Sequence, residues 1–333
     1  MPQFRKDPVN GRWVIVNMET PRVDFHLPKH ASSTKTCPFC PGNEAMTPPA
    51  IMTYPAKNPA ESKSAWQLRV IPNKFPALRI EESAERTGIG IYDRIGGFGA
   101  HEVIIESPDH HRDIADLSPA DAELILRVYR DRCLDLRKDK RIHFILIFKN
   151  QGWDAGASLE HPHSQLIGLP IVPSRLLGEV RGSADHFAQT ERCIHCDMLD
   201  QEKLDKKLTI FSNDDFMAIT PFASRFPFEV WILPKNHAHS FDSITDEKLP
   251  GLASALQATL RKLKKLLGNP AYNFMIYTSP IHGREAKSFH WHIEVIPHLT
   301  EVAGFELGTG FYLNPTPAEL AAEQLRSVEG EMS

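Results

Sequence analysis

Two copies of one cysteine and histidine pattern constrain the fold of this chain more than any other feature. Each copy runs Cys-x-x-Cys, then a histidine after an apolar strand-like run, then a His-x-His. The number of residues between the single histidine and the His-x-His is almost the same in both copies, from His110 to His161 and from His237 to His290. Near-equal spacing of like elements indicates a duplicated unit.

The segments between these landmarks predict the secondary structure of the unit. Ser118 is placed to cap a long amphipathic helix with Leu134 on its apolar stripe, and Ile142 to Phe148 follow as a strand. In the second copy a helix from about Asp246 to Leu267 precedes a strand from Tyr272 to Tyr277.

This order predicts an α+β fold of two tandem domains, each a mainly antiparallel sheet with a long helix. We place the first domain at residues 1–175 and the second at residues 190–333, with the boundary near residues 172–190. The glycine-rich stretch from Gly88 to Gly99 has no helix pattern directly after it, so it is not a dinucleotide-binding fingerprint.

The composition limits the class of protein. The chain has 333 residues, 41% of them hydrophobic and 24% charged, with a net charge of -4. It therefore shows no electrostatic footprint for nucleic acid or anionic membrane, and no apolar run reaches membrane-spanning length. The first residues lack a signal-peptide core, so we expect a cytoplasmic protein.

Each copy of the pattern supplies two cysteines and two histidines, a donor set that suits tetrahedral zinc. Since protein atoms then fill all four positions, each zinc would be structural rather than a site of water activation. His111 and His239 stay open as alternatives to their neighbours, iron as an alternative metal, and a redox pair or two buried thiols as the interpretation of a single Cys-x-x-Cys. The predicted ligands are Cys37, Cys40, His110 and His161 in the first site and Cys193, Cys196, His237 and His290 in the second.

The stretch Glu160-His161-Pro162-His163-Ser164-Gln165 carries the candidate chemistry. Two histidines one residue apart project to the same side of an extended strand. The polar loop from Asn150 to Ser158 precedes them, and such a loop can offer backbone amides and a hydroxyl to a phosphate. On the residues alone, a metal half-site and two unrelated surface histidines remain possible.

These motifs in this order resemble the galactose-1-phosphate uridylyltransferase family, a nucleotidyl transferase branch of the histidine-triad superfamily. The resemblance rests on Cys-x-x-Cys, Ser107-Pro108-Asp109-His110, Asn-x-Gly, Gly-x-Ser and His-Pro-His-x-Gln. It implies two tandem histidine-triad-like domains, a homodimer, and a nucleotide sugar and a hexose 1-phosphate as partners.

The resemblance also implies a role for single residues. His163 resembles the nucleophile that attacks the α-phosphorus of a nucleotide sugar. His161 resembles the zinc ligand beside it, and Gln165 the amide that hydrogen-bonds the phosphoryl oxygen. Ser158 and Asn150 resemble a pair that contacts phosphate.

A second group of residues resembles the family's substrate pocket. Asn73 and Phe75 look like part of the nucleoside pocket, and Arg22 like a phosphate-binding arginine. Glu306 resembles the carboxylate that holds the hexose hydroxyls.

The resemblance predicts transfer of UMP from UDP-glucose to galactose 1-phosphate through a covalent uridylyl-histidine. Several departures, among them Glu160, Ser164, Phe305 and the second cysteine pair, are similar to a plant relative that acts as an ADP-glucose phosphorylase. A nucleotide-sugar phosphorylase that uses inorganic phosphate is therefore the first alternative. A histidine-triad hydrolase and a non-catalytic, zinc-stapled nucleotide-binding protein are the others.

The second His-x-His predicts a different role for its second histidine. His292 occupies the place of His163 in the repeat, but Glu294 replaces Gln165. A carboxylate there would repel a phosphoryl group, so we expect His292 to be structural or to line the substrate site.

Overall fold

Within the residues that the structure describes, a sheet of ten strands joins the two halves of the molecule. The computed structural model describes residues 2–18, 36–57, 64–283 and 285–328. The strands of the described chain are β1 (Gln3–Lys6), β2 (Trp13–Val16), β3 (Met52–Pro55), β4 (Trp66–Pro72), β5 (Arg86–Ile89), β6 (Tyr92–Ile95), β7 (Ala100–Ile105), β8 (Phe144–Gln151), β9 (His163–Leu169), β10 (Thr209–Ser212), β11 (Phe216–Ile219), β12 (Val230–Pro234), β13 (Tyr272–Tyr277), β14 (His292–Pro297) and β15 (Tyr312–Asn314).

The strand order of the large sheet is symmetric about its centre. It runs β10-β11-β12-β14-β13-β8-β9-β7-β4-β3. The outward order β8, β9, β7, β4, β3 in the first half is repeated by β13, β14, β12, β11, β10 in the second. The neighbours are antiparallel, and β8 pairs with β13 at the junction. The predicted α+β fold with antiparallel sheets is confirmed, but the two sheets are continuous rather than separate.

Two long helices, α1 (Pro119–Leu136) of the first half and α4 (Leu249–Leu267) of the second, pack together over this sheet. Ser118 caps α1, where its hydroxyl accepts from the Asp121 backbone amide at 3.2 Å. The helix α4 ends at Gly268 in a left-handed conformation, the usual glycine stop. Both helices contribute to the main apolar core, but Leu134 of α1 is 39% exposed and lies off the buried face. The helices are α1 (Pro119–Leu136), α2 (Ser174–Thr190), α3 (Ile194–Asp205), α4 (Leu249–Leu267), α5 (Gly304–Thr309) and α6 (Ala318–Ser327).

The segment expected to hold the domain boundary forms the helix α2. Gly182 lies against the N-terminal segment so closely that a Cβ atom there would be 1.7 Å from the Val9 carbonyl oxygen. The helix buries Leu176, Glu179 and Ser183. The helix α2 therefore packs as a structural element rather than a linker. The domain boundaries at residues 175 and 190 stay a prediction.

The glycine-rich segment forms the hairpin β5-β6, which agrees with the absence of a dinucleotide-binding helix. Arg22 lies outside the described residues. Among the helices of the described ranges, none combines the length and the apolar character needed to cross a bilayer.

Candidate functional site

The first cysteine and histidine set forms a compact cluster beside the start of β9. The ligand atoms of Cys37, Cys40, His110 and His161 all lie within 4.8 Å of one another. The Cys40 sulfur is 3.3 Å from His110 Nδ1 and 3.6 Å from His161 Nδ1. His161 Nε2–H donates to the Ser107 carbonyl at 2.8 Å, which turns Nδ1 toward the cluster.

The second set forms a matching cluster beside the start of β14. Cys193, Cys196, His237 and His290 also bring their ligand atoms within 4.8 Å of one another. His290 Nε2–H donates to the Pro234 carbonyl at 2.9 Å, and His237 Nε2–H to the Ala286 carbonyl at 2.8 Å. Both imidazoles therefore present Nδ1 to the sulfurs, as His161 does.

Each cluster fits a tetrahedral zinc ion by its chemistry. Two sulfurs and two imidazole nitrogens are the donors of structural zinc sites, and carbonyl acceptors fix the ligand tautomer. His239 Nδ1 instead lies 2.9 Å from the Ser279 hydroxyl, and His237 belongs to the second cluster. In the first cluster His110, not His111, lies beside the cysteines.

The imidazole of His163, the candidate nucleophile, is held in its neutral form. Its Nδ1–H donates to the His161 carbonyl at 2.8 Å, which leaves the Nε2 lone pair available. Burial lowers the pKa of His163 to about 4, so the ring is neutral at physiological pH. Phe39, inside the Cys37–Cys40 turn, contacts the His163 ring edge-on with centroids 5.2 Å apart. The cysteine turn therefore packs directly against the candidate nucleophile.

The amide of Gln165 lies on the same face of β9 as His163 because strand side chains alternate. His101 Nε2 is 2.9 Å from Gln165 Oε1, and Asn73 Nδ2 donates to the same oxygen at 3.4 Å. The sequence predicts Asn73 as part of a nucleoside pocket and does not single out His101. The strand pattern of Ala100 to Ile105 could have placed His101 on a sheet, but not opposite Gln165.

The loop from Asn150 to Ser158 is anchored by the second half of the molecule. Phe148 pairs with Gln165 in the register of β8 and β9, which brings Asn150 to the strand end beside His163. Asn273 of β13 donates to Asn150 Oδ1 at 2.8 Å, so the Asn150 amide nitrogen is left to donate elsewhere. Ser158 is exposed at the end of the loop. Asn273 is a supporting residue that the sequence analysis missed.

A buried polar network supports β9 from its other face. Ser164 hydrogen-bonds to Glu106 and to the Tyr129 hydroxyl. The fully buried Lys149 donates to Glu106 at 2.6 Å and lies 3.5 Å from Asp113. Buried charges need such partners, and removal of one partner leaves the other uncompensated. The network therefore fixes the strand between His163 and Gln165.

Two predicted substrate residues do not share side-chain hydrogen bonds with this group in the described chain. Phe75 is 84% exposed, and its backbone amide donates to Asn73 Oδ1. Glu306 is half-buried on α5, where its carboxylate accepts from the Ala303 amide and caps the helix. Within the described chain neither side chain forms a hydrogen bond with the residues around His163.

The equivalent position in the second half is closed. His292 is buried at 1% exposure and stacks with Tyr277 and His195, at centroid distances of 5.4 and 5.3 Å. Glu294 accepts from Arg175 of α2 at 2.6 Å and from Arg225 at 2.6 Å. The helix α2 thus contributes a charged side chain to the position that corresponds to the Gln165 amide.

Comparisons with known proteins agree with this arrangement. Residues 2–173 match the family described as galactose-1-phosphate uridyl transferase, N-terminal domain, and residues 179–332 match its C-terminal domain. An ADP-glucose phosphorylase of Arabidopsis thaliana is 38% identical, over 98% of this chain and 93% of the relative. A galactose-1-phosphate uridylyltransferase of Thermotoga maritima is 28% identical over the full length of both chains.

Solved structures give the same result. The crystal structure of an Arabidopsis thaliana ADP-glucose phosphorylase with bound ADP-glucose has a TM-score of 0.85, at 37% identity and 99% coverage of each chain. A uridylyltransferase structure has a TM-score of 0.77, at 28% identity and 98% coverage of each chain.

Proposed function

Because the chain belongs to the galactose-1-phosphate uridylyltransferase family, we propose that it transfers a nucleotidyl group from a nucleotide sugar through His163. The observation that carries the proposal is the hydrogen bond from His163 Nδ1–H to the His161 carbonyl. It selects the tautomer with a free Nε2 lone pair, and a neutral imidazole attacks phosphorus without first losing a proton.

The reaction would proceed by two displacements. His163 Nε2 forms a bond to the α-phosphorus, the bond from that phosphorus to the bridging oxygen breaks, and the sugar 1-phosphate leaves. A second phosphate oxygen then attacks the α-phosphorus, and the bond to Nε2 breaks. The Nδ1–H stays bound to the His161 carbonyl throughout, which stabilises the positive charge of the nucleotidyl-imidazole.

Neutral side-chain donors would bind the phosphoryl oxygens. The amide nitrogens of Gln165 and Asn150 and the hydroxyl of Ser158 are the candidates. Positioned donors of this kind stabilise the charge that spreads over the oxygens in phosphoryl transfer. Zinc held in the first cluster would fix His161 and with it the carbonyl that orients His163.

Two finer reactions fit this chemistry. Phosphorolysis of ADP-glucose is favoured by the 38% identity to the plant phosphorylase and by the structure of that protein with bound ADP-glucose. Uridylyl transfer from UDP-glucose to galactose 1-phosphate, the reaction that the sequence predicts, has the support of relatives at 28% identity and below. The described contacts around His163 do not involve the nucleotide base, so they do not separate the two reactions. We therefore rank the phosphorylase reaction first, on sequence similarity.

The remaining assignments stay predictions. These are zinc as the metal of both clusters, Glu306 as a hexose ligand, Asn73, Phe75 and Arg22 as substrate-binding residues, a homodimer and a cytoplasmic location.

Half-reactions test the proposal. Each nucleotide sugar is incubated alone with the protein, and intact mass is measured before and after the acceptor is added. An adenylyl adduct discharged by phosphate supports the phosphorylase, and a uridylyl adduct discharged by galactose 1-phosphate supports the transferase. Failure of both sugars to label the protein would overturn the covalent mechanism.

A further inference from the structure

The register of two strands places His101 next to the Gln165 amide. In the pairing of β7 and β9, His101 lies opposite Ile167 and Val103 opposite Gln165. His101 is therefore the diagonal neighbour of Gln165 on the same face of the sheet, a distance that a long side chain can span. The two residues belong to strands that are far apart in the sequence.

The tautomer of His101 follows from its backbone partner. The Ala77 N–H donates to His101 Nδ1 at 3.1 Å. A backbone N–H is always a donor, so Nδ1 is unprotonated and the neutral ring carries its proton on Nε2. That proton is then donated to Gln165 Oε1, which is 2.9 Å away.

A second donor reaches the same oxygen. Asn73 Nδ2 donates to Gln165 Oε1 at 3.4 Å and also lies 3.1 Å from His101 Nε2, while Asn73 Oδ1 accepts from the Phe75 amide at 2.9 Å. The Asn73 side chain is thereby fixed with its nitrogen toward Gln165 and His101. If the Gln165 amide were flipped, its NH2 group would face two donors.

Resting on the proposed function, we propose that His101 is a positioning residue which fixes the Gln165 amide with its nitrogen toward the phosphoryl group. Gln165 Oε1 is occupied by His101 and Asn73, and its Nε2 has no hydrogen-bond partner within the described chain. The free N–H bonds can then donate to the oxygens of the group transferred to His163. A donor oriented in advance costs no reorganisation during the reaction.

The test compares His101→Ala with the native chain in the first half-reaction. The rate of nucleotidyl-enzyme formation from ADP-glucose and from UDP-glucose is measured by rapid quench and intact mass. We expect about a tenfold loss of rate with the better donor, the change that corresponds to one ordinary hydrogen bond. Binding of the same sugar, measured in a His163→Ala background, should change less than threefold.

A matched control comes from the same half of the molecule. His143 is exposed just before β8 and contacts His282, outside the group around His163. His143→Ala should label at the native rate. His101→Gln keeps an N–H donor at a similar reach, so it should recover most of the rate lost in His101→Ala.

Coupling to Gln165 separates positioning from a general structural role. In a Gln165→Ala background, His101→Ala should cost less than twofold, since the amide it orients is gone. The same tenfold loss in both backgrounds, or a native rate for His101→Ala alone, would overturn the assignment of His101. Failure of the native chain to label with any nucleotide sugar would instead contradict the proposed function.

Discussion

His163 and His292 occupy equivalent places in the two halves, yet the groups around them differ. Both imidazoles donate Nδ1–H to the carbonyl of the histidine two residues before them, at 2.8 and 3.2 Å. Both follow a histidine of a cysteine and histidine cluster. The cysteine and histidine clusters and the ring tautomer are therefore properties of the repeat and do not by themselves make a nucleophile.

The difference lies in what surrounds Nε2 of each ring. Near His163 stands the neutral amide of Gln165, whose nitrogen is free to donate. Near His292 stands Glu294, paired with Arg175 and Arg225, and the ring itself stacks with Tyr277. Phosphoryl transfer needs hydrogen-bond donors beside the phosphate, and at this place the second half has a buried carboxylate paired with two arginines.

Removal of His163 and removal of His292 should give the largest difference between the two halves in adduct formation. His163→Ala is expected to abolish the nucleotidyl adduct, because the attacking nitrogen is lost. His292→Ala should keep adduct formation within about threefold of native, while the cavity lowers the free energy of unfolding by about 2–4 kcal/mol. Intact mass and urea unfolding measure the two effects. Adduct loss in His292→Ala with the fold retained would mean that both halves share the chemistry.

An exchange of the amide and the carboxylate should give the next largest effect. Gln165→Glu puts a negative charge beside the phosphoryl oxygens and should slow adduct formation by about 10²–10³-fold, the usual cost of losing an oxyanion donor. Glu294→Gln should leave that rate unchanged. It should reduce the free energy of unfolding by on the order of 3 kcal/mol, because Arg175 and Arg225 lose a buried partner.

Those two variants are read by single-turnover labelling and by urea unfolding. Equal rates for Gln165→Glu and the native chain would show that the Gln165 amide does not contact the phosphoryl group.

Loss of one cysteine from each cluster should have a smaller effect on activity and should sharpen the comparison. Cys40→Ser and Cys196→Ser are matched, since each sulfur lies within 3.6 Å of two imidazole nitrogens. Each variant should lose one zinc per chain. Cys40→Ser should also slow adduct formation by about 10–100-fold, because His161 positions His163, whereas Cys196→Ser should chiefly lower stability.

Metal analysis of the purified variants checks the stoichiometry before the rates are compared. Two zinc ions per chain in either variant would show that the cysteine is not a ligand.

The rate of labelling should change little between pH 7 and pH 5. The pKa of His163 is lowered to about 4 by burial, from an ordinary value of 6.5. Its neutral form therefore persists as pH falls, and at pH 5 about nine-tenths of the ring is neutral, against about 3% for an ordinary histidine. The labelling rate at pH 5 should stay within twofold of that at pH 7, provided that zinc content is equal. A tenfold loss of the labelling rate centred near pH 6.5 would show that burial does not lower the pKa of His163.

The sequence predicted the parts of this structure that depend on local pattern. The repeat of cysteines and histidines located both clusters, and Ser118 located the start of α1. The prediction that Leu134 belongs to the packed stripe of α1 was wrong. An apolar stripe in a sequence does not show which of its edges the core covers. Contacts across strands were beyond the sequence, since His101, Asn273 and Phe39 reach the site through register and packing between distant segments.

The closed second site was only half predictable. Glu294 in place of Gln165 indicated that His292 has lost its phosphate partners. That α2 covers this position with Arg175 could not be read from residues 174–190, because a single amphipathic helix does not reveal the surface on which it packs. The same limit hid the continuous sheet, since the pairing of β8 with β13 has no local signal.

The most direct test of the account is to locate the nucleotidyl group. The protein is incubated with ADP-glucose and, separately, with UDP-glucose, then digested under conditions that preserve the phosphoramidate bond and mapped by mass spectrometry. The account predicts a single nucleotidyl group on the peptide that contains His163 and none on the peptide that contains His292. A group on His292, or no group with either sugar, would contradict it.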